Sequence, residues 1–226
     1  MDDALAKRRY RIGLRLSLDA LRWMIWPLAI GVAVSLVLAA VLALTGAAPD
    51  GGVWAVWISI AQWLWGAAAG IRLFAAVPVH LALGVTRRET IAAFGVFGAL
   101  TTALGVVVAV GGFLAEHAVL LAVADPDGTW GAAALAGTRY LLITPIYFFG
   151  GAAIAAAALR FGSGPLPAGL ILILAGALYT GALFLEFAPL ADALPLWTGA
   201  CLVLLAALAA AFDLALRSAP IRPRGA

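Results

Sequence analysis

The sequence VPVHLALGVTRRETIAAF, which occupies residues 77–94, decides how this chain is organised. It is the most polar interruption between two long apolar segments, and it carries two adjacent arginines. Gly84 is expected to end one helix, because glycine adopts a positive φ without strain. Thr86 is expected to cap the next helix, with Glu89 three residues later completing a capping box. The stretch therefore predicts a short basic loop between two membrane helices, and the first half of this loop is predicted to be an interfacial helix.

The composition identifies lipid as the solvent of this chain. Of its 226 residues, 65% are hydrophobic and only 11% are charged, and the mean hydropathy is +1.09. An ordinary soluble domain has about 45–50% apolar and about 25% charged residues. One membrane span needs about 20 largely apolar residues to cross about 30 Å of hydrocarbon. We therefore predict an all-α polytopic membrane protein with six spans, short loops and no separate soluble domain.

The apolar segments divide the chain into a transmembrane domain, residues 23–216, and two flanking pieces. The six spans are expected at residues 23–45, 53–76, 91–114, 138–159, 168–185 and 196–216. Residues 115–124 continue the third span as a bent extension or as a short outer helix. Glu116 and His117 in that continuation are interpreted as part of a wetted loop. Residues 186–195 are interpreted as a loop or a re-entrant segment.

The first 22 residues carry charges at helical spacing. Arg8, Arg11, Arg15, Asp19 and Arg22 follow one another at intervals of three or four residues, which places them in one stripe of a helix. A basic stripe on an otherwise apolar helix favours the headgroup region, where arginine meets anionic lipid. Residues 1–22 are therefore predicted to form an interfacial amphipathic helix. The alternative is a solvated tail that only fixes the orientation of the chain.

The charges also predict the topology, because short cytoplasmic loops are enriched in Lys and Arg. With the N-terminus in the cytoplasm, the residues that fall inside are Lys7, Arg8, Arg9, Arg11, Arg15, Arg22, Arg87, Arg88, Arg160, Arg217, Arg222 and Arg224. The residues that fall outside are Asp50, Glu116, Asp125, Asp127, Glu186 and Asp192. We expect both termini, including the tail 217–226, to be cytoplasmic. The alanine, arginine and glycine bias suggests a high-GC bacterial source, and we therefore expect this multi-pass chain in a bacterial inner membrane.

The second span carries two features of membrane helices. Gly66 and Gly70 form a G-x-x-x-G motif, and small residues at this spacing let two helices approach closely. Helix packing is the interpretation that we favour for this motif, ahead of dimerisation. Trp54 and Trp57 are interpreted as an anchor at the membrane interface, where tryptophan is enriched.

Two arginines lie at the edges of spans. Arg72 is expected to extend its side chain to the inner interface, or otherwise to pair with Asp19 or Asp213. Arg139 is likewise expected to extend its side chain to the outer interface, or otherwise to pair with Glu116 or Asp125.

The chain lacks the motifs of several function classes. It has one lysine and no P-loop, so it does not bind ATP in that way by itself. A single cysteine and two separated histidines, His80 and His117, argue against a metal site built from His and Cys ligands. Gly162-Ser163-Gly164 has no histidine nearby in sequence and is typical of a turn. The scarcity of charged residues at mid-membrane depth argues against an ion-driven carrier.

The segment LALGVTRRET, residues 81–90, resembles the loop after the second span of type-2 ABC-exporter permeases. In these families a stretch L-x-x-G-x-[ST]-R-R commonly occupies that place. The order of parts is also similar, with a basic N-terminal helix, six spans and one prominent basic cytoplasmic loop. The chain departs from the family in being short, with neither a large extracellular domain nor a fused ATPase.

The resemblance implies a coupling loop over residues 77–90 that contacts a separate P-loop ATPase subunit, which would carry ATP and Mg²⁺. The segment from Pro78 to Leu83 would be the coupling helix. The implied coupling residues are Pro78, His80, Leu81, Leu83, Gly84, Thr86, Arg87, Arg88 and Glu89. Arg87 and Arg88 would face acidic groups of the ATPase or lipid phosphates, or they would serve orientation alone. The chain itself would hold no cofactor and would pair with an identical or a different permease subunit.

Three hypotheses follow. The first is the membrane subunit of an ATP-driven exporter, whose cargo would be apolar or amphipathic because the spans offer few polar groups. The second is an accessory or structural subunit of a membrane assembly without transport activity. The third is a membrane-embedded enzyme acting on lipids, which the lack of a paired acid, base or nucleophile in the spans argues against. The charges follow topology and give no indication of nucleic-acid binding. The cargo, the direction of transport and the identity of the second subunit stay open.

Overall fold

The computed structural model of this chain describes residues 2–47, 52–124, 128–161, 164–187 and 193–219, with side chains from residue 8 onward. The helices in these ranges are α1 (Asp2–Leu44), α2 (Val53–Ala82), α3 (Arg87–Val123), α4 (Trp130–Thr138), α5 (Tyr140–Phe161), α6 (Pro165–Phe187) and α7 (Leu194–Ser218). The predictions that concern Gly162 and Ser163, the acidic loops at 48–51, 125–127 and 188–192, and the tail beyond residue 219 lie outside the described residues.

The predicted all-α, six-span architecture is confirmed. Six helical segments are long and apolar enough to cross a membrane, with α4 and α5 together forming one of them. Each predicted span lies within one of these segments to within about two residues. The described ranges contain no β-strand. The apolar runs were sufficient for this result because only a helix satisfies its own backbone hydrogen bonds inside lipid.

Helix α1 differs from the sequence expectation. It is one continuous helix of 43 residues, about 65 Å long at 1.5 Å per residue. No break separates the basic first 22 residues from the apolar remainder. Gly13 lies so close to α3 that an added Cβ would meet the Ala93 carbonyl oxygen and the Val96 side chain. The basic part of α1 therefore runs beside the first turns of α3, and its placement in the membrane interface stays a prediction.

Helix α5 is the centre of the bundle and packs against α2, α3, α6 and α7. Gly66 and Gly70 of the predicted packing motif face it. A Cβ on Gly66 would lie 2.8 Å from the Tyr147 carbonyl oxygen, and one on Gly70 would lie 2.9 Å from the Gly151 carbonyl oxygen. Larger residues would separate the two backbones, so the motif serves packing within one chain.

Helix α6 is the most peripheral span. It packs chiefly against α5, and its buried residues are Ala182 and Glu186, one turn apart. Most of its large apolar side chains are exposed, among them Leu172 and Phe184. The attachment of α6 to the bundle therefore depends on a short contact near its C-terminal end.

The bundle has two ends of different charge. Helix α2 ends, α3 begins and α7 ends at one of them, where Arg8, Arg87 and Arg217 lie; we call it the arginine end. Glu116 and Glu186 lie toward the opposite end, which we call the acidic end.

Candidate functional site

The turn between α2 and α3 begins as a continuation of α2. Pro78 lies inside this helix, which extends to Ala82 before Leu83 ends it. Gly84 has a φ of +71° and lets the chain reverse, as its residue type predicted. The Val85 amide donates a hydrogen bond of 2.8 Å to the His80 carbonyl oxygen and closes the turn. The predicted coupling segment is therefore the last part of α2, where a separate interfacial helix was expected.

Helix α3 begins with the capping box that the sequence predicted. The Glu89 amide donates to the Thr86 hydroxyl at 3.2 Å, and the Thr86 amide donates to the Glu89 carboxylate at 2.7 Å. These bonds satisfy amides that the first turn of a helix leaves unpaired. The same carboxylate lies 3.9 Å from the Arg8 guanidinium. The turn is thus tied to α1 as well as to its own helix.

Arg87 and Arg88 have different surroundings. Arg87 donates hydrogen bonds to the carbonyl oxygen of Arg217 and, at 2.6 Å, to that of Ala219. The last carbonyls of a helix have no partner within it, and a cation there also meets the favourable end of the helix dipole. Arg88 is exposed. Both arginines were expected to face a partner protein. Arg87 instead contacts the end of α7, whereas Arg88 is exposed and can meet a partner.

The remaining predicted coupling residues separate by exposure. Leu83 is 69% exposed, and Gly84 and Thr86 beside it are also exposed. Pro78, His80 and Leu81 are half-buried, and Leu81 packs against the apolar core at this end. The surface that a partner could contact is therefore the tip of the turn.

A groove of about 650 Å³ lies between the basic part of α1 and this turn. Arg8, Arg11 and Arg15 line one side, and His80 and Leu83 line the other. The Nδ1 atom of His80 is buried and has no hydrogen-bond partner among the described residues. The spacing of the arginines predicted the basic wall of the groove. The opposite wall was not predicted, because it depends on how α1 packs against the turn.

Glu116, at the acidic end, caps a helix other than its own. Its carboxylate accepts hydrogen bonds from the Val53 amide at 2.7 Å and the Trp54 amide at 3.0 Å. The N-cap residue of α2 is Gly52, which has no side chain to do this. Glu116 is only 5% exposed, so its interpretation as part of a wetted loop is wrong. His117 is also buried, and its ring lies edge-on to that of Trp130 at 4.8 Å.

Trp54 was expected to anchor the membrane interface, and this expectation is wrong. It is 1% exposed, and its indole nitrogen donates to the Ala109 carbonyl oxygen at 3.1 Å. Its ring lies over Gly112, where an added Cβ would collide with it. The glycine makes room for the indole, so tryptophan at the start of this span serves helix packing.

A buried carboxylate joins three helices. Glu186 of α6 accepts hydrogen bonds from the hydroxyls of Tyr140 at 2.8 Å, Tyr147 at 3.0 Å and Ser59 at 3.1 Å. All four residues are at most 6% exposed. We call them the Glu186 cluster. Sequence reasoning missed this cluster because it assigned Glu186 to a loop, although the seven-residue spacing of the two tyrosines places them on one face of α5.

Arg139 lies beside this cluster. It interacts electrostatically with Glu186, and its guanidinium lies 5.7 Å from the centre of the Trp197 ring. Of its two predicted partners, Glu116 is engaged with α2, and Asp125 lies outside the described residues. The three hydroxyl donors and the nearby cation balance the buried charge of the Glu186 carboxylate. This arrangement fits a structural clasp between α2, α5 and α6.

Two further polar side chains lie next to the cluster along the same helices. Gln62 follows Ser59 by three residues on α2, and Thr144 lies between the two tyrosines on α5. Both are 0% exposed, and within the described part of the chain their side chains have no hydrogen-bond partner. Together with the indole nitrogen of Trp65, which is 2% exposed and also lacks a partner in that part of the chain, they retain unused hydrogen-bonding capacity.

No protein-family model, curated protein or solved structure matches this chain. Among the described residues, no three His, Cys, Asp or Glu side chains come together as a metal site would require. The α2–α3 turn with the adjoining helix ends is therefore the candidate site, and the Glu186 cluster is the main feature inside the bundle.

Proposed function

We propose that this chain is the permease subunit of an ATP-driven exporter and that a separate P-loop ATPase docks on the arginine end. The observation that carries the proposal is the connected arrangement of the α2–α3 turn. Leu83, Gly84 and Arg88 are exposed at its tip, while residues immediately beside them are bonded to other helices. Such a turn offers a contact surface that is mechanically linked to the bundle.

The link to the bundle has two parts. Arg87 bonds the end of α7 through two backbone carbonyls. Glu89 joins the start of α3 to Arg8 of α1. A push on the turn would therefore reach α1, α2, α3 and α7 together. Packed side chains, ion pairs and hydrogen bonds of this kind carry coupling between distant parts of a protein.

The proposed cargo is an apolar or amphipathic small molecule. The described spans present chiefly apolar side chains, and Gln62, Trp65 and Thr144 are buried groups whose side-chain polar atoms have no hydrogen-bond partner there. This apolar character of the spans supports a cargo of that class. The peripheral position of α6, with its exposed apolar face, is compatible with a second permease subunit beside this one in a bacterial inner membrane.

The test is co-purification from native membranes in mild detergent, with bound proteins identified and ATP hydrolysis assayed. The test variant combines Leu83→Ser with Arg88→Glu. The matched control combines Leu166→Ser with Arg160→Glu, which changes an exposed leucine and an arginine beside the α5–α6 turn. We expect the wild type and the control to retain a P-loop ATPase and the test variant to lose it.

If well-folded wild-type protein is recovered without any ATPase, the exporter proposal fails. The chain is then better explained as an accessory or structural subunit of a membrane assembly. Equal loss of the ATPase from both variants would show that the tip of the α2–α3 turn is not the docking site.

A further inference from the structure

The groove between α1 and the α2–α3 turn combines positive charge with an apolar floor. Arg8, Arg11 and Arg15 line it, and Asp19 is the acidic residue of the lining. Three arginines and one aspartate give this lining a charge of +2 with histidine neutral. Anions are favoured at such a surface, because arginine bonds phosphate oxygens with two parallel donors.

The apolar part of the groove distinguishes a lipid from a free anion. Ile12 and Leu16 of α1 line the groove beside the arginines, and Val85 of the turn lines it as well. Leu14 and Leu18, on the adjoining surface of α1, are 49% and 48% exposed. A free phosphate makes no favourable contact with this apolar surface. Acyl chains would bury it, and this burial is favourable by about 25 cal/mol per Å² of apolar surface.

The groove also lies where the sequence predicts the headgroup region of the membrane. It opens where α2 ends and α3 begins, beside the exposed Leu83, and the apolar spans start immediately beyond it. The buried Nδ1 of His80, which has no partner in the described structure, adds a polar group to the same wall. Charge, apolar surface and depth therefore select the same kind of occupant.

We propose that this groove binds an anionic phospholipid, with its phosphate against Arg11 and Arg15 and its acyl chains along α1. The phosphate would neutralise the basic lining, and the bound lipid would fill the space between α1 and the α2–α3 turn. The proposal does not rest on the proposed exporter function, because the groove is formed entirely by this chain.

The test uses the purified full chain in detergent, without any ATPase, and measures lipid binding by native mass spectrometry. Phosphatidylglycerol and phosphatidylcholine are titrated separately. The test variant is Arg11→Gln with Arg15→Gln, and the matched control is Arg9→Gln with Arg22→Gln, which removes the same charge from the same helix outside the groove lining. A further variant, Arg11→Lys with Arg15→Lys, retains the charge.

Each basic residue near an anionic surface contributes roughly a factor of five in affinity. We therefore expect phosphatidylglycerol to bind the test variant about 30-fold more weakly than the wild type, from two such residues. The control should bind within about twofold of the wild type. The lysine variant should bind with an affinity between those of the wild type and the glutamine variant, because lysine keeps the charge but lacks the two parallel donors.

Equal binding of phosphatidylcholine, or equal loss in the test and control variants, would overturn the proposal, since either result indicates diffuse charge or non-specific adsorption. Displacement of phosphatidylglycerol by millimolar inorganic phosphate would overturn it too, because a free phosphate group would then be sufficient. A size-exclusion profile matching the wild type establishes that each variant is folded, which is expected because these arginines are exposed.

Discussion

The acidic and arginine ends of the bundle place their charged groups in opposite environments. Glu116 and Glu186 are each 5% exposed and are engaged by hydrogen-bond donors from other helices. Arg8, Arg11 and Arg88, at the other end, are exposed. A charge in lipid or in the bundle interior is tolerated only with partners. The two carboxylates of the acidic end are therefore inaccessible to other molecules, and their hydrogen bonds hold neighbouring helices in fixed positions. The arginine end has retained surface that other molecules can reach.

The comparison predicts its largest effect at the Glu186 cluster. Replacing Glu186 with alanine leaves three buried hydroxyls without their acceptor and removes the negative charge near Arg139. We expect a loss of about 3–5 kcal/mol in the free energy of unfolding, measured by denaturation in mixed detergent micelles. Since Ala182 is the other buried residue of α6, this helix should detach first. Ala182→Cys, which places a thiol at a position 1% exposed in the intact bundle, would report the detachment by faster labelling.

Glu186→Gln is the matched control for that experiment. The amide keeps the shape and one acceptor oxygen, so its loss of stability should be well below that of the alanine variant. Equal stability of the wild type and the alanine variant would mean that the cluster does not hold α6 in place.

Glu116 should have the next largest effect. Glu116→Ala removes the carboxylate oxygen that accepts from both amides at the start of α2, where Gly52 offers no substitute. We expect a loss of about 2 kcal/mol, the upper end of the range for capping residues, because the site is buried. The measurement is the same denaturation experiment, together with proteolysis near residue 52. An unchanged stability would refute the cap between helices.

Thr86 gives the comparable measurement at the arginine end. Thr86→Ala removes the acceptor for the Glu89 amide, but water can reach this position and replace the lost bond. We expect a loss of about 1 kcal/mol, smaller than that of Glu116→Ala, and Thr86→Ser should restore most of it. A loss of stability equal to that of Glu116→Ala would show that helix caps contribute equally at the exposed and the buried end of the bundle.

Arg87 should have the smallest effect on stability. Arg87→Gln weakens the contact with the end of α7 in a half-exposed setting, where a charged interaction contributes at most about 1 kcal/mol. Its main consequence should be greater mobility of the end of α7, measured as faster amide hydrogen exchange around residues 214–219. If exchange there is unchanged, Arg87 does not anchor α7.

The turn at residues 83–89 shows what local sequence can predict. The glycine in a left-handed conformation and the capping box depend on residues within six positions of one another, so the pattern alone was sufficient. The same reasoning was wrong for Trp54 and Glu116. Their roles depend on Gly112 and on the amides of α2, which are far away in sequence.

The sequence by itself determined that this chain is an all-helical bundle with six apolar spans, a basic turn after the second span and a close-packing glycine pair. These properties follow from hydropathy, charge and local backbone chemistry, which act over a few residues. Only the tertiary structure decided that Glu186 joins α2, α5 and α6, that Arg87 binds α7, and that α1 forms a groove with the turn. These contacts join positions 39 to 132 residues apart, and their pairing depends on how the apolar helices pack against one another.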